Sequence, residues 1–266
     1  MSAAPDTLGT PFRTAPALPM LVRQAWAEML QQLRMPMGLV WSLVATSVLF
    51  LFIGFGWAGQ DVAGIDGKTY MMASFGAFGT FNIMLGTFGG GIASDRSARR
   101  HVLYRAMPVP PAVLLGAKVL VACSMTAVMT TFLVCTAVAT GTRLDPLMAV
   151  SLIGRMAIGG IPFITMGLAI GYLVRPASVA VVINILSLGL SFLSGIYFPI
   201  PETGGAIQSV ANWSPMYHLA ELGRDAVGAQ VEHSIVNTVG VLLFYTLVFG
   251  LLALRAYGRE EKRTFE

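Results

Sequence analysis

The chain has 266 residues, of which 55% are hydrophobic and 11% charged, with a formal net charge of +4. Soluble domains carry about a quarter charged residues, so a mean hydropathy of +0.72 excludes a soluble enzyme, a secreted disulfide scaffold and a nucleic-acid-binding domain as the main reading. The pI of about 9.3 would point to nucleic acid only if the basic residues clustered without a membrane reason, and they have one.

Residues 1–19 are rich in Pro, Ala and Thr and read as a disordered lead. The first 20 residues lack a basic region followed by an apolar stretch and a small-residue cleavage site, so the first span is expected to stay in the mature protein. Over residues 20–36, Val22, Trp26, Met29 and Leu33 recur at helical spacing opposite Arg23, Gln24, Glu28, Gln31 and Arg34. This pattern predicts an amphipathic helix lying in the membrane interface.

Charge then vanishes from long windows. There are 26 uncharged residues between Arg34 and Asp61, 26 between Lys68 and Asp95, 24 between Lys118 and Arg143, 26 between Arg175 and Glu202 and 22 between Glu232 and Arg255. A further window, Pro146 to Val174, is interrupted only by Arg155. A bilayer core needs roughly 20 apolar residues per helix. The sequence therefore predicts an all-α polytopic membrane protein, with six transmembrane helices near 38–58, 69–93, 113–140, 147–173, 177–199 and 234–255. Together they form a domain over 37–256, followed by a tail at 257–266. Sorted by side, the loops and termini carry 13 Lys and Arg on one face and three (Lys68, Arg143 and Arg224) on the other. The positive-inside rule then places both termini in the cytoplasm.

In the second span Gly76, Gly79, Gly86 and Gly90 share an arc of about 80° on an ideal helix, and Gly86 and Gly90 form a GxxxG pair expected to pack against another helix. Phe75, Phe78, Phe81 and Phe88 take another arc. Phe75, Phe78 and Asn82 are candidates for a substrate path, with lipid or core contact as the alternative. The 94–112 loop after this span holds Arg96, Arg99, Arg100 and Arg105 within ten residues, with Val102, Leu103, Ala106 and Met107 between and beyond them. It reads as a short basic amphipathic helix stopped by prolines, either a lipid anchor or a docking helix for a cytoplasmic partner. Cys123 and Cys135 lie in the third span, about 18 Å apart along a helix axis, too far to pair; small buried apolar residues are their plain reading.

Arg155 sits about 12 Å inside the external end of the fourth span, with no Asp or Glu in any predicted span to neutralise it. It is either a functional residue or a snorkelling one. In the fifth span Asn184, Ser187, Ser191 and Ser194 form a polar stripe that must see protein or water, and both a substrate path and interhelical hydrogen bonding fit it. The external 200–233 loop is long enough to be structured. Within it Ser214-Pro215 has helix-start chemistry, and short external or re-entrant helices are expected there.

Some features mislead. Gly67-Lys68-Thr69 ends like a phosphate-binding loop, but Val62 stands where the first glycine is required. Asn212-Trp-Ser214 fits a glycosylation acceptor but is followed by proline. HExxH, GxSxG and cysteine–histidine clusters are absent, so no catalytic residue, metal ligand or cofactor is expected on this chain.

The residues nevertheless carry a resemblance. Leu103-Tyr-Arg-Ala-Met-Pro108 runs into Leu114-Leu-Gly-Ala-Lys118, and Ser194-Gly-Ile-Tyr-Phe-Pro199 is followed by Trp213-Ser-Pro-Met-Tyr-His-Leu-Ala-Glu-Leu-Gly-Arg224. With six spans and a basic loop after the second, this resembles the ABC type-2 transporter permeases over about residues 20 to 255. The resemblance implies the membrane subunit of an ATP-driven exporter in a bacterial-type inner membrane, acting on a drug or lipid-like molecule. Its partners would be a second permease subunit, identical or not, and a cytoplasmic ATPase chain that holds the ATP and Mg. It also implies that Asp95, Arg96, Arg99, Arg100, Tyr104 and Arg105 lie on the coupling helix, although Asp95-Arg96 stands where the family often has Glu-Arg. A secondary transporter or channel, a polysaccharide-exporting ABC permease and a non-transporting scaffold are the alternatives. Against the first, the sequence shows no internal repeat and no intramembrane carboxylate.

Overall fold

The computed structural model describes residues 17–34, 36–98, 109–198 and 209–263. It is a helical bundle with a single two-stranded hairpin among these residues. Helix α1 (Ala17–Arg34) precedes α2 (Pro36–Gly54). The hairpin β1 (Asp61–Val62) and β2 (Ile65–Asp66) leads into α3 (Gly67–Leu85), a π-helical turn over Gly86–Gly90, and α4 (Gly91–Ser97). Helix α5 (Pro111–Ala139) is followed by α6 (Pro146–Gly159), α7 (Ile161–Leu173), α8 (Pro176–Leu193), α9 (Pro215–Ala226) and α10 (Ile235–Arg263). Five stretches are long and apolar enough to cross a membrane: Gly67–Ser97, Ala112–Ala139, Pro146–Leu173, Pro176–Leu193 and Ile235–Arg259. With the shorter apolar helix α2 they match the six windows of the sequence.

Two ends can be told apart by charge. One, here the basic end, bears Arg34, Arg96, Lys118, Arg175 and Arg255; the other, the acidic end, bears the hairpin and α9 with Asp145, Glu221, Asp225 and Glu232.

The core sits around α3, whose Phe75, Phe81, Met71, Met84 and Leu85 are fully buried. The other spans face lipid with at least one side, as the exposed Val181, Ile185 and Leu188 of α8 and Val236, Leu243 and Leu247 of α10 illustrate. The fourth span breaks at Gly160, because Pro162 has no N–H to continue the ladder. At this break a Cβ on Gly160 would come within 2.8 Å of Thr80 on α3, so the kink is also a close helix crossing.

Some boundaries differ from the sequence reading. Helix α1 starts at Ala17 and takes in residues 17–19 of the expected lead, since Pro19 falls in a first turn whose N–H groups lack helical partners anyway. It leaves Leu18, Val22, Trp26 and Leu33 exposed along one face, the apolar stripe an interfacial helix presents to lipid. The fifth span ends at Leu193, short of the expected 199. Gly195 at φ +63° closes it, with Ile196 N–H donating to Ser191 O and Gly195 N–H to Phe192 O, so Ser194 lies at the cap. At the far end α10 runs to Arg263, so most of the expected 257–266 tail continues the last span as helix.

Candidate functional site

Helix α9 is the element around which the acidic end is built. Eleven of its twelve residues are buried, which fits a helix inserted among the spans better than one resting on them. Its fit depends on absent side chains. A Cβ on Gly223 would lie 2.9 Å from Met156 and 3.3 Å from the Ala73 carbonyl, and one on Gly159 would lie 2.8 Å from Leu219 and Leu222. Ser214-Pro215 begins the helix as expected, but the Ser214 hydroxyl does not cap it; it pairs with Ser194 at 3.0 Å.

Arg224, which the sequence analysis counted only as an external charge, is 3% exposed. Its guanidinium donates to Ser74 Oγ at 3.0 Å, to Ser194 O at 3.3 Å and to Gly195 O at 2.8 Å, and lies over the Tyr70 ring at 4.4 Å. It thereby joins α9, α3 and the carbonyls at the end of α8, which have no helical partners of their own. The signal for this role was its place ten residues after a Ser-Pro helix start. Lys68 acts similarly on the neighbouring helix: its Nζ donates to Thr140 O at 2.6 Å, capping α5, and sits 4.2 Å from the Phe55 ring.

Arg155 has a counterion after all. Asp225 of α9 forms an ion pair with it, and the Leu222 carbonyl accepts from it at 3.4 Å. The sequence reading searched only the spans for an acid, whereas α9 carries one in from the external loop. The pair is about 30% exposed, and Arg155 is the one charged residue lining a groove of about 510 Å³ whose walls include Val150, Ile158, Pro162, Leu222, Ile235, Val239 and Leu243.

The polar stripe of α8 divides. Ser187 donates to Asn82 Oδ1 at 2.9 Å, and Asn82 Nδ2 in turn donates to Phe78 O at 2.8 Å, tying α8 to α3. Ser191 donates to the Ser187 carbonyl and lies 3.8 Å from Met216 Sδ. Asn184 alone of the four is exposed. Beside the stripe Phe75, Phe78 and Phe192 each meet the ring of Tyr197, with centroids 6.1, 6.2 and 4.9 Å away. The structure thus brings Phe75, Phe78, Asn82, Ser187, Ser191 and Ser194 into one polar and aromatic seam between α3, α8 and α9. Arg155 lies apart from it, in the groove.

Glycine packing follows a different face from the expected one. A Cβ on Gly86 or Gly90 would meet nothing within 4 Å, so this pair is not a packing face within the chain. Gly89 takes that place: a Cβ on Gly167 would lie 3.0 Å from Gly89 N, and one on Gly171 would lie 3.2 Å from Gly89 O. The physical reason is the π turn at Gly86–Gly90, which adds a residue and rotates everything beyond it off the ideal 100° phase. Gly167-x-x-x-Gly171 is itself a GxxxG pair, legible in the sequence but not singled out.

At the basic end Arg96 donates to Gly171 O and Val174 O, each at 2.8 Å, closing the end of α7. Lys118 of α5 pairs with Glu28 of α1 at 3.1 Å and approaches Asp95 at 3.9 Å. Asp95 and Arg96 therefore hold the base of the basic loop to its neighbours, while Arg99, Arg100, Tyr104 and Arg105 lie outside the described residues.

A family model described as ABC-2 type transporter matches residues 22–227. A curated relative, named "Putative transport permease YvfS", from Bacillus subtilis (strain 168), is 23% identical over 243 residues, covering 88% of this chain and 95% of its own.

Proposed function

From the premise that the chain belongs to the ABC-2 type transporter family and is a multi-pass transport permease, we propose that it exports a hydrophobic or amphipathic, lipid-like molecule, driven by a separate cytoplasmic ATPase that binds ATP and Mg. The observation that carries the substrate class is the groove between α6, α7, α9 and α10. Its walls are apolar and its one charged lining residue, Arg155, is already paired with Asp225. Such a surface accepts an acyl chain or fused rings against the walls with a polar group at the ion pair, and gives a sugar few partners. The seam of Phe75, Phe78, Asn82, Asn184, Ser187, Ser191 and Ser194 is proposed to move as the path opens.

The excess of Lys and Arg on the basic end supports a cytoplasmic placement of both termini in an inner membrane. Asp95 and Arg96 then hold the start of the coupling segment, with Arg99, Arg100, Tyr104 and Arg105 on it, facing the ATPase. A second permease subunit completes the assembly. The test is to purify the tagged full-length chain from its native membrane and reconstitute what elutes. An ABC-type ATPase should copurify, and the pair should move a lipid-like dye in an ATP-dependent manner, with loss in Arg99→Glu/Arg100→Glu. A chain that elutes alone and transports on an ion gradient would overturn the reading.

A further inference from the structure

His218, Glu221 and His233 each present one potential ligand atom, and these atoms lie within 4.8 Å of one another. His218 and Glu221 are one turn apart on α9 and are 1% and 2% exposed. His233 comes from the segment just before α10, with its side chain 20% exposed at the rim. The sequence analysis sought cysteine–histidine clusters, and a set completed by a carboxylate from one helix and a histidine twelve residues on escaped it.

The bonding of His218 points to what the cluster lacks. Its Nε2 lies 3.0 Å from the Asn212 carbonyl, which can only accept, so Nε2 carries the proton. In the neutral ring Nδ1 is then a bare lone pair. It is buried, has no hydrogen-bond partner, and faces Glu221 Oε2 at 3.6 Å. A lone pair aimed at a carboxylate in a site nearly closed to water is two acceptors without a donor, costly unless a cation sits between them. The carboxylate is held in its ionised form. Burial pushes Glu221 up, but the two imidazoles more than reverse this and leave it below its ordinary value. It also accepts from the backbone N–H groups of Glu232 and His233 at 3.2 and 3.3 Å.

We propose that His218 Nδ1, the Glu221 carboxylate and His233 Nδ1 bind one divalent transition-metal cation, with Zn²⁺ the best fit. Two imidazoles and a carboxylate suit zinc, with a fourth position left for water. Tetrahedral Zn²⁺ with bonds near 2.0–2.1 Å sets its ligand atoms about 3.4 Å apart. The His233–Glu221 separation of 3.0 Å and the His218–Glu221 separation of 3.6 Å bracket that value. The Asn212 carbonyl fixes the tautomer of His218 from behind, the outer support that ligating histidines have. Half-buried His233 gives the ion a way in. Neighbouring charge favours a dication: Glu232, which accepts from Tyr217 at 3.4 Å, adds a second carboxylate, and Arg224 is turned to Ser74 and to the end of α8. Bound there, the metal ties α9 to the start of α10, whatever the substrate.

The test uses the full-length permease in detergent, stripped with chelator, in a Cys123→Ser/Cys135→Ser background. Zn²⁺ alone is titrated by calorimetry, and Co²⁺ alone by its visible absorption. One equivalent per chain should bind, with a tetrahedral Co²⁺ spectrum. His218→Ala and His233→Ala should each weaken Zn²⁺ at least about 100-fold, beyond the loss that outer-shell changes produce, while His101→Ala leaves binding unchanged. Zn²⁺ should raise the melting temperature of the parent and not that of His233→Ala, whose rim position spares the fold. A folded parent that binds no Zn²⁺, a His101→Ala variant that loses it, or a His233→Ala variant that binds like the parent would each overturn the site.

Discussion

The two ends of the bundle are held by different means. At the acidic end buried polar groups do the holding: Arg224 bonds into α3 and the end of α8, Lys68 caps α5, and Ser194 pairs with Ser214. Toward the basic end the helices meet through bare backbone at Gly89, Gly167 and Gly171, and the ionic ties, Lys118 with Glu28 and Asp95, are only partly buried. A buried polar group has no water to turn to when its partner leaves, whereas a part-exposed ion pair does. The acidic end should therefore resist rearrangement while the basic end can shift at small cost. That is the distribution a permease driven from its basic end would need.

The contrast is broken most severely at Arg224. Arg224→Met leaves the Ser194 and Gly195 carbonyls and the Ser74 hydroxyl without their donor. Hydrogen bonds to charged groups contribute about 1.5–3 kcal/mol each, so a loss of about 3 kcal/mol or more is expected, read as a large fall in the melting temperature of the detergent-solubilised chain. Arg224→Lys should recover little of it, since an ammonium cannot span three acceptors and lie flat on Tyr70. A melting temperature unchanged in Arg224→Met would mean that the acidic end is held by apolar packing alone.

The glycine crossing comes next. Gly167→Leu drives a branched side chain into Gly89 N and Phe88 Cβ, each 3.0 Å from the first added carbon, and should cost about 1–3 kcal/mol, the range for overpacking. Gly86→Leu, with nothing within 4 Å of its Cβ, should leave the stability of the single chain within about 0.5 kcal/mol. The paired melting curves separate the crossing seen here from the one an ideal helix implies.

That pair of glycines shows where sequence reading stopped. The spans were legible because a bilayer demands long uncharged windows, and α9 was legible in outline because Ser-Pro starts a helix. Its insertion among the spans was not, because an amphipathic helix with Glu221, Arg224 and Asp225 reads as surface until the partners of those charges are known. Arg155 looked unpaired for the same reason. The π turn at Gly86–Gly90 has no sequence signature, yet it decides which glycine packs.

A smaller effect is expected at the basic end itself. Lys118→Ala removes the pairs to Glu28 and Asp95, with the lysine side chain 20% exposed, and should cost at most about 1 kcal/mol. Protease nicking near residue 34 should nonetheless rise, because α1 loses an ionic tie to α5. A cost as large as that of Arg224→Met would erase the difference between the ends.

The smallest change is at the α8 stripe, where the comparison can be made within one helix. Ser191 donates to a carbonyl of its own helix and touches Met216, so Ser191→Ala gives up an interaction averaging about 0.6 kcal/mol in membrane proteins and should leave the melting temperature nearly unchanged. Solvent access is the sharper measure. In a background lacking Cys123 and Cys135, cysteine at 184 should react with a water-soluble thiol reagent only if its exposed face meets an aqueous cavity, and not if it meets lipid. Cysteines at 187, 191 and 194 should stay unreactive in the resting state, because Asn82, Met216 and Ser214 cover them. If the seam opens during transport, ATP with the partner ATPase should make those three reactive. If they stay closed while transport proceeds, the stripe is helix packing and the path runs elsewhere, with the groove at Arg155 the next place to label.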